Sequence, residues 1–439
     1  MTVQPRLVPP PQERPSWPDS LPSHEGLVTQ LGFRPNAGMD AASEGVGLMP
    51  VFQPVVSLPD EQVVGFEALA RWPTFLTVTP QNVFSFANAS KRATVLDQQC
   101  IDAAARAALV AELPYGSLLL INTEPAVEHT ARANNPALAD ACERFQVIFE
   151  LTERQLLAHP RALLDKVAAI RADGIAIAID DVGAHPDSLA VLDILAPDIV
   201  KLDVAMIQSS PQSDRASTLT GVLAHQERTG ALIIAEGVET DEHLEQAKAM
   251  GATLAQGFRF GQGVPLNRQK CIAGPPLPAL AEPSRFASSH VSAVGDRRAL
   301  RVAREGIVAA FSRHIVEQAR HSVDHPMVLA TLHRAEDFSA GPREIYRELA
   351  MTSPLVAVFG RDVPDDLGPS VRGIELQHGD PLCEEWVVVA IGTDTCRALV
   401  ARELVGPESG GGYRRFEFLV SSDRAVVTKA ARSLLSRVP

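Results

Sequence analysis

No apolar run among the 439 residues approaches the length of a bilayer span, and the first residues lack the basic-then-apolar pattern of a secretory signal. Both absences point to a cytoplasmic chain with no membrane span. Cysteine is scarce: Cys100, Cys142, Cys271, Cys383 and Cys396 are odd in number, widely spaced and without a CxxC pair. They read as reduced core residues, not as a disulfide framework. Positive charge is also in deficit, 40 Lys and Arg against 53 Asp and Glu, for a net charge of -13. That argues against a DNA-binding surface, although a small anionic ligand remains open to local cations. Apolar side chains are plentiful, at 46%, with 21% charged, enough for two or three domains or one large barrel with a partner.

The texture changes along the chain. Residues 1–44 are rich in Pro and polar residues ("PRLVPPPQERPSWPDSLPSHEG") and read as a mobile tail. Short apolar runs follow, "VFQPVVSL", "VVGFEALA", "SLLLIN", "VIFELTE", "IAIAIDD", "IVKLD", "LIIAEG" and "TLAQGF". Between several of them lie amphipathic helical patterns such as "ARALLDKVAAIRADG" and "DEHLEQAKAMG". This alternation predicts a parallel sheet covered by helices, and the count favours a closed (β/α)8 TIM-type barrel over residues 45–265. A Pro/Ala/Ser stretch, residues 266–298, reads as a linker to a smaller α/β domain over 299–439.

In such barrels, catalytic groups gather at the C-terminal ends of the strands. Polar residues recur there: Glu67, Asn122, Glu150, Asp180, Asp181, Lys201, Glu236 and Gln256. Asp180 and Asp181 taken alone suit a strand exit or a helix cap, since Asp is favoured in both. Many carboxylates buried together require compensating cations. An all-oxygen set without Cys or His suits magnesium or manganese, and two ions sharing an aspartate would account for the adjacent acids. A paired-metal site clamps both oxygens of an in-line phosphoryl displacement, so phosphodiester hydrolysis is the expected chemistry. Lys201 would be costly to bury unpaired, which favours a site role. Glu239 and Thr240 read as caps of the helix beginning near Asp241.

The segments "FQPVVSLPDEQVVGFEALARW", "FELTER", "AIDDVG", "PDIVKLD", "IIAEGVET" and "AQGFRFG" occur in an order and spacing similar to those of EAL-domain cyclic di-GMP phosphodiesterases, with Glu67-Ala68-Leu69 as the namesake triplet. The resemblance implies that Glu67, Asn122, Glu150 and Asp180 hold one metal ion, and that Asp180, Asp181 and Glu236 serve the other. It implies that Lys201 orients the attacking water, Glu153 braces the loop after Asp181, and Gln256 holds substrate or an ordered water. Gln53 and Leu69 would contact guanine. Arg71 would contact a phosphate, against the alternative of Arg71 and Trp72 as a packing pair. It also implies a homodimer through the EAL-like domain.

The stretch Val182–Ser188 departs from the family, placing His185 and Pro186 where flexible residues are usual and stiffening the backbone. The C-terminal region has a helix pattern around Ala299 to Arg320, strand patterns in "PMVLATL", "PLVAVFG", "EEWVVVAIG" and "YRRFEFLVSS", and a final helix in "DRAVVTKAARSLLSRV". It resembles the DICT sensory domain in "VLATLHRAEDFS", "LVAVFG" and "EEWVVVA". A signal or a protein partner for this domain follows by analogy. Tyr346, Trp386 and Phe416 read as core aromatics rather than a ligand pocket. The favoured expectation is a metal-dependent hydrolase opening cyclic di-GMP to linear pGpG under C-terminal control. The alternative is a non-catalytic receptor for the same dinucleotide. Carbonyl chemistry at Lys201 is disfavoured, because the surrounding acids would keep the amine protonated.

Overall fold

A computed structural model describes residues 37–75, 78–152, 156–184, 188–209, 213–266, 270–278, 300–332, 340–361, 363, 367–368, 370–404 and 414–439. The eight apolar runs become the eight strands of a closed barrel: β1 (Met49–Ser57), β2 (Val63–Arg71), β3 (Leu118–Asn122), β4 (Gln146–Thr152), β5 (Ala176–Val182), β6 (Ile199–Leu202), β7 (Leu232–Ala235) and β8 (Leu254–Ala255). One departure from the expected parallel sheet is β1, which runs antiparallel to both β2 and β8. Only residues 58–62 join β1 to β2, too few for the helical crossover that parallel neighbours require.

Two stretches assigned to tail and linker pack against the barrel. Ala37–Ser43 forms a helix, with Ala42 buried in a cluster with Trp72, Val83, Ala87 and Leu96. The Pro-rich composition ends just before it, so the chain there is free to become helical. Residues 270–278 run across the base of the barrel. Ile272 N donates to Val63 O at 2.9 Å, Gly274 N donates to Gly116 O at 2.9 Å, and Leu277 packs under the interior.

The second domain is a seven-stranded sheet in the order β12-β11-β10-β13-β14-β15-β9. Its strands are β9 (Arg301–Arg304), β10 (Met327–Thr331), β11 (Val356–Gly360), β12 (Val371–Glu375), β13 (Glu385–Ile391), β14 (Cys396–Glu403) and β15 (Arg415–Ser421). The helix expected from Ala299 begins at Glu305, because residues 301–304 pair with β15. Helices 305–320 and 340–349 cover one face. Tyr346 lies in the second of these helices and Phe416 on β15, both buried, and Trp386 meets Phe416 edge-on with centroids 6.0 Å apart. These aromatics are core.

The other face carries helix 424–435 and turns toward the barrel, so one apolar core runs from Met327, Val389 and Val427 to Leu163, Val191 and Ile194. Polar contacts pin the two parts together around Asp193, on helix 188–195. Arg424 pairs with the Asp193 carboxylate and also donates to Gly392 O at 2.9 Å. Arg228 reaches the same carboxylate at 2.8 Å, and Arg432 donates to Ile194 O at 2.7 Å. Burial raises Asp193, but His225, Arg424 and Arg228 outweigh it and hold the carboxyl well below its ordinary range.

Candidate active site

Alternation along the strands explains how the polar groups converge. Leu118 and Leu120, Ile148, Ala176 and Ala178, Ile199, Ile234, and Leu254 fill the barrel interior. With side chains pointing inward every second residue, the next inward positions are Asn122, Glu150, Asp180, Lys201, Glu236 and Gln256. Glu67 on β2 completes the ring.

The Lys201 ammonium, buried at its centre, lies 2.8 Å from Glu150, 2.8 Å from Asp180, 2.9 Å from Glu236 and 3.5 Å from Glu67. Asn122 Nδ2 donates to Glu67 and to Glu150, each at 3.0 Å. Gln256 Nε2 donates to Glu67 at 2.6 Å and to Gln53 Oε1 at 3.1 Å.

Four carboxylates therefore surround one cation, and their proton affinities record the imbalance. Burial raises Glu67, but Lys201 and the bonds from Gln256 and Asn122 outweigh it and leave its carboxyl below the ordinary range. Burial and then the Glu67 charge push Glu150 well above that range, against the pull of Lys201. Glu236 rises to about 8, from burial against Lys201, with Asp180 and Glu67 adding to the rise. Burial alone would depress Lys201, yet the four acids raise it well above the ordinary amine value. The cluster has an excess of negative charge.

Alternation alone would send Asp181 to the helix layer. Instead its φ is 60°, in the left-handed region, and the β5–β6 register breaks between Ile179 and Val182. This irregularity brings Asp180, Asp181 and Glu236 together, with one oxygen of each within 4.8 Å of the others. Three carboxylates converging beside a cluster with excess negative charge fit a hard divalent cation. An ordinary strand exit has no such convergence.

A cavity of about 620 Å³ opens from this cluster. Leu69 and Arg71 line it, with Glu67, Asp180 and Asp181 at its base. Arg71 is exposed, and its guanidinium donates to Ala70 O at 2.9 Å. Trp72 is buried against Phe84, so Arg71 and Trp72 do not form a packing pair. Gln53 faces Gly261, donating to its carbonyl at 3.3 Å. Thr240 caps helix 241–249, accepting from His243 N at 3.1 Å. Glu153, His185 and Pro186 lie outside the described residues.

Sequence reasoning passed over a buried set under the loop after β3. Asp97 accepts from Thr123 Oγ1 at 2.8 Å and Glu124 N at 2.9 Å, while Lys166 Nζ donates to Thr123 Oγ1 at 2.7 Å and Glu124 O at 2.6 Å. The only signal was an acid and a lysine on helical stretches, which ordinarily reads as solvated surface.

Comparison with known proteins gives two family matches: the EAL domain over residues 39–262, and the sensory domain in diguanylate cyclases and two-component systems over residues 291–404. The Probable cyclic di-GMP phosphodiesterase PdeN of Escherichia coli K12 is 30% identical over 249 residues, 55% of this chain and 48% of that protein. The cyclic di-GMP phosphodiesterase RocR of Pseudomonas aeruginosa is 28% identical over 223 residues, 49% of this chain and 57% of that protein. The chain spans about half the length of these curated relatives. Among solved structures, the PaMucR phosphodiesterase in complex with c-di-GMP aligns with a TM-score of 0.45 at 26% identity, over 52% of this chain and 96% of that one.

Proposed function

The chain belongs to the EAL-domain family, and on that premise we propose that it is a divalent-metal-dependent phosphodiesterase opening cyclic di-GMP to linear pGpG. The observation that carries the reading is the inward ring of carboxylates around Lys201, with Asp181 turned in beside it. Glu67, Asn122, Glu150 and Asp180 would hold one magnesium or manganese ion, and Asp180, Asp181 and Glu236 a second. Such ions, when bound, polarise the phosphoryl oxygens and supply hydroxide near neutral pH. The protein's own part is positional. Lys201, held protonated by its four acid neighbours, orients the attacking water and meets the negative charge that develops on the phosphoryl group. Gln256 ties Glu67 to Gln53, fixing the carboxylate and presenting the floor of the cavity to the dinucleotide. Arg71, at the cavity wall, supplies the cation for a substrate phosphate. Leu69 and Gln53 lie on the guanine side.

The domains in this reading are the barrel to about residue 265 and the sensory unit from about 299, and the protein acts as a cytoplasmic homodimer through its barrel. A small molecule or protein signals through the C-terminal unit. Among the described residues, no helix is long and apolar enough to cross a membrane.

The test is incubation of purified protein with cyclic di-GMP and manganese, followed by chromatography. Linear pGpG should form, stop with chelator, and resume on adding metal back. Glu67→Ala should abolish turnover while the fold persists. Undiminished hydrolysis by metal-stripped protein would overturn the reading, and metal-dependent binding without cleavage would favour the receptor.

A further inference from the structure

The cavity extends beyond the acidic cluster to a wall that the proposed chemistry leaves unused. Helix 80–89 buries Val83 and Ala87 toward Leu96 and Trp72. Its opposite side presents Gln81, Phe84, Ser85 and Asn88 to the cavity. These four are spaced i, i+3, i+4 and i+7, so they form one continuous stripe. The stripe is polar except for one ring, and that ring is held edge-on to Trp72, with centroids 6.5 Å apart and planes at 78°.

Glu124 also lines this cavity, and the Asn88 side chain bonds its carboxyl group. The backbone of Glu124 is clamped on both sides, its N–H by buried Asp97 and its carbonyl by buried Lys166, at 2.9 and 2.6 Å. A carboxylate on so firmly held a loop is preorganised, a property that a merely solvated acid does not need.

We propose that Glu124 and Asn88 read the Watson–Crick edge of a guanine seated against Phe84, and so select guanine over adenine in the cyclic dinucleotide. This rests on the phosphodiesterase reading for the identity of the ligand. The chemistry of the edge motivates the assignment. Guanine offers two adjacent donors, N1–H and the N2 amino group, and beside them the acceptor O6. A carboxylate accepts from both donors, and the Asn88 amide donates to O6. Adenine presents the lone pair of N1 to the same carboxylate and lacks the N2 donor, leaving the half-buried acid repelled and without a donor from the base. Enzymes that hold a base outside a helix read it in this manner, by edge hydrogen bonds and a stacked aromatic ring. Discrimination is strong where a mismatch leaves a polar group unsatisfied.

The experiment compares cyclic di-GMP with cyclic di-AMP on the full chain and on Glu124→Gln, measuring kcat/KM in manganese and Kd by calorimetry. The amide keeps size but offers one acceptor where two are needed. Preference for the guanine substrate should fall by about tenfold to a hundredfold, the range lost with one bidentate base contact. Because the readout is a ratio between two substrates on one protein, general loss of folding cancels. A ratio unchanged in Glu124→Gln overturns the assignment, as does a parental protein that takes both dinucleotides equally. If the parent binds cyclic di-GMP without cleaving it, the hydrolase reading fails while the ratio of Kd values still decides the role of Glu124. If it binds neither dinucleotide, both readings fall.

Discussion

Lys201→Met removes the cation at the centre of the acid ring while roughly keeping side-chain volume. At about 3 Å and an effective dielectric near 20, each contact to a carboxylate is worth roughly 5 kcal/mol before desolvation is subtracted. Desolvation of the ammonium and acids consumes most of that sum, and the measured consequence of deleting one partner of a buried pair is about 3–5 kcal/mol. With a melting shift of roughly 2 °C or more per kcal/mol, the variant should melt roughly 6–10 °C below the parent in EDTA at pH 7.5.

The pH dependence sharpens the test. A raised amine pKa means that the Lys201 contribution is fully present below the unfolded value and is lost only in alkali, as pH passes the folded one. Glu236 behaves oppositely. Its carboxyl moves from 4.5 to about 8 on folding, through burial opposed by Lys201, with Asp180 and Glu67 adding to the rise. The folded chain thus keeps a proton that the unfolded chain releases, and metal-free stability should decline as pH rises from 4.5 to 8. The decline is at most roughly 5 kcal/mol, less because part of the side chain meets solvent. The Lys201→Met penalty should accordingly shrink at pH 5, where the acids take up protons, and manganese should recover much of it at pH 7.5. A variant that melts with the parent in EDTA at pH 7.5 would refute the picture of a buried excess of negative charge held by one cation.

Asp181→Asn should slow turnover more than it weakens dinucleotide binding, as kcat and Kd will show, because it removes a charge but keeps an oxygen. Asp181→Ala should also lose about 1 kcal/mol of stability in thermal melts, since the left-handed backbone at this position suits Asp and Asn far better than Ala. Asp193→Ala should strip Arg424, Arg228 and His225 of a shared partner, at about 3 kcal/mol, and make helix 424–435 more accessible to limited proteolysis. Equal cleavage rates would show that Asp193 does not hold the two parts together.

The barrel was legible because each strand carries its own signal. Runs such as "SLLLIN" and "IVKLD" are apolar, short and closed by a polar residue, and every one becomes a strand. What escaped depends on partners distant in sequence. Residues 396–403, "CRALVARE", are made largely of helix formers, yet Cys396 to Arg402 pair with β13 and the stretch becomes β14. The direction of β1 hangs on a connection length and not on its own composition. In the acid ring, residue identities were readable, but the turning of Asp181 was not, since a broken register belongs to the pairing of β5 with β6. Glu124 was missed because only the fold brings Asn88 and the cavity to it.

The barrel closes through unequal joints. β1 meets β2 along most of its length, whereas its pairing with β8 is confined to Val56 with Ala255 and Ser57 with Leu254, beside a single bridge from Phe52 to Val264. Gln256 is the next residue after β8, and its side chain crosses this seam to Gln53 while holding Glu67. β8 is joined by only two residue pairs on each side, to β1 and to β7, so local opening should cost least around it and amide hydrogen exchange should be faster at residues 254–256 than in β3 or β4. Because Gln256 belongs both to the seam and to the acid ring, a ligand that fixes its amide also fastens the barrel shut, and exchange at the seam becomes a direct gauge of occupancy.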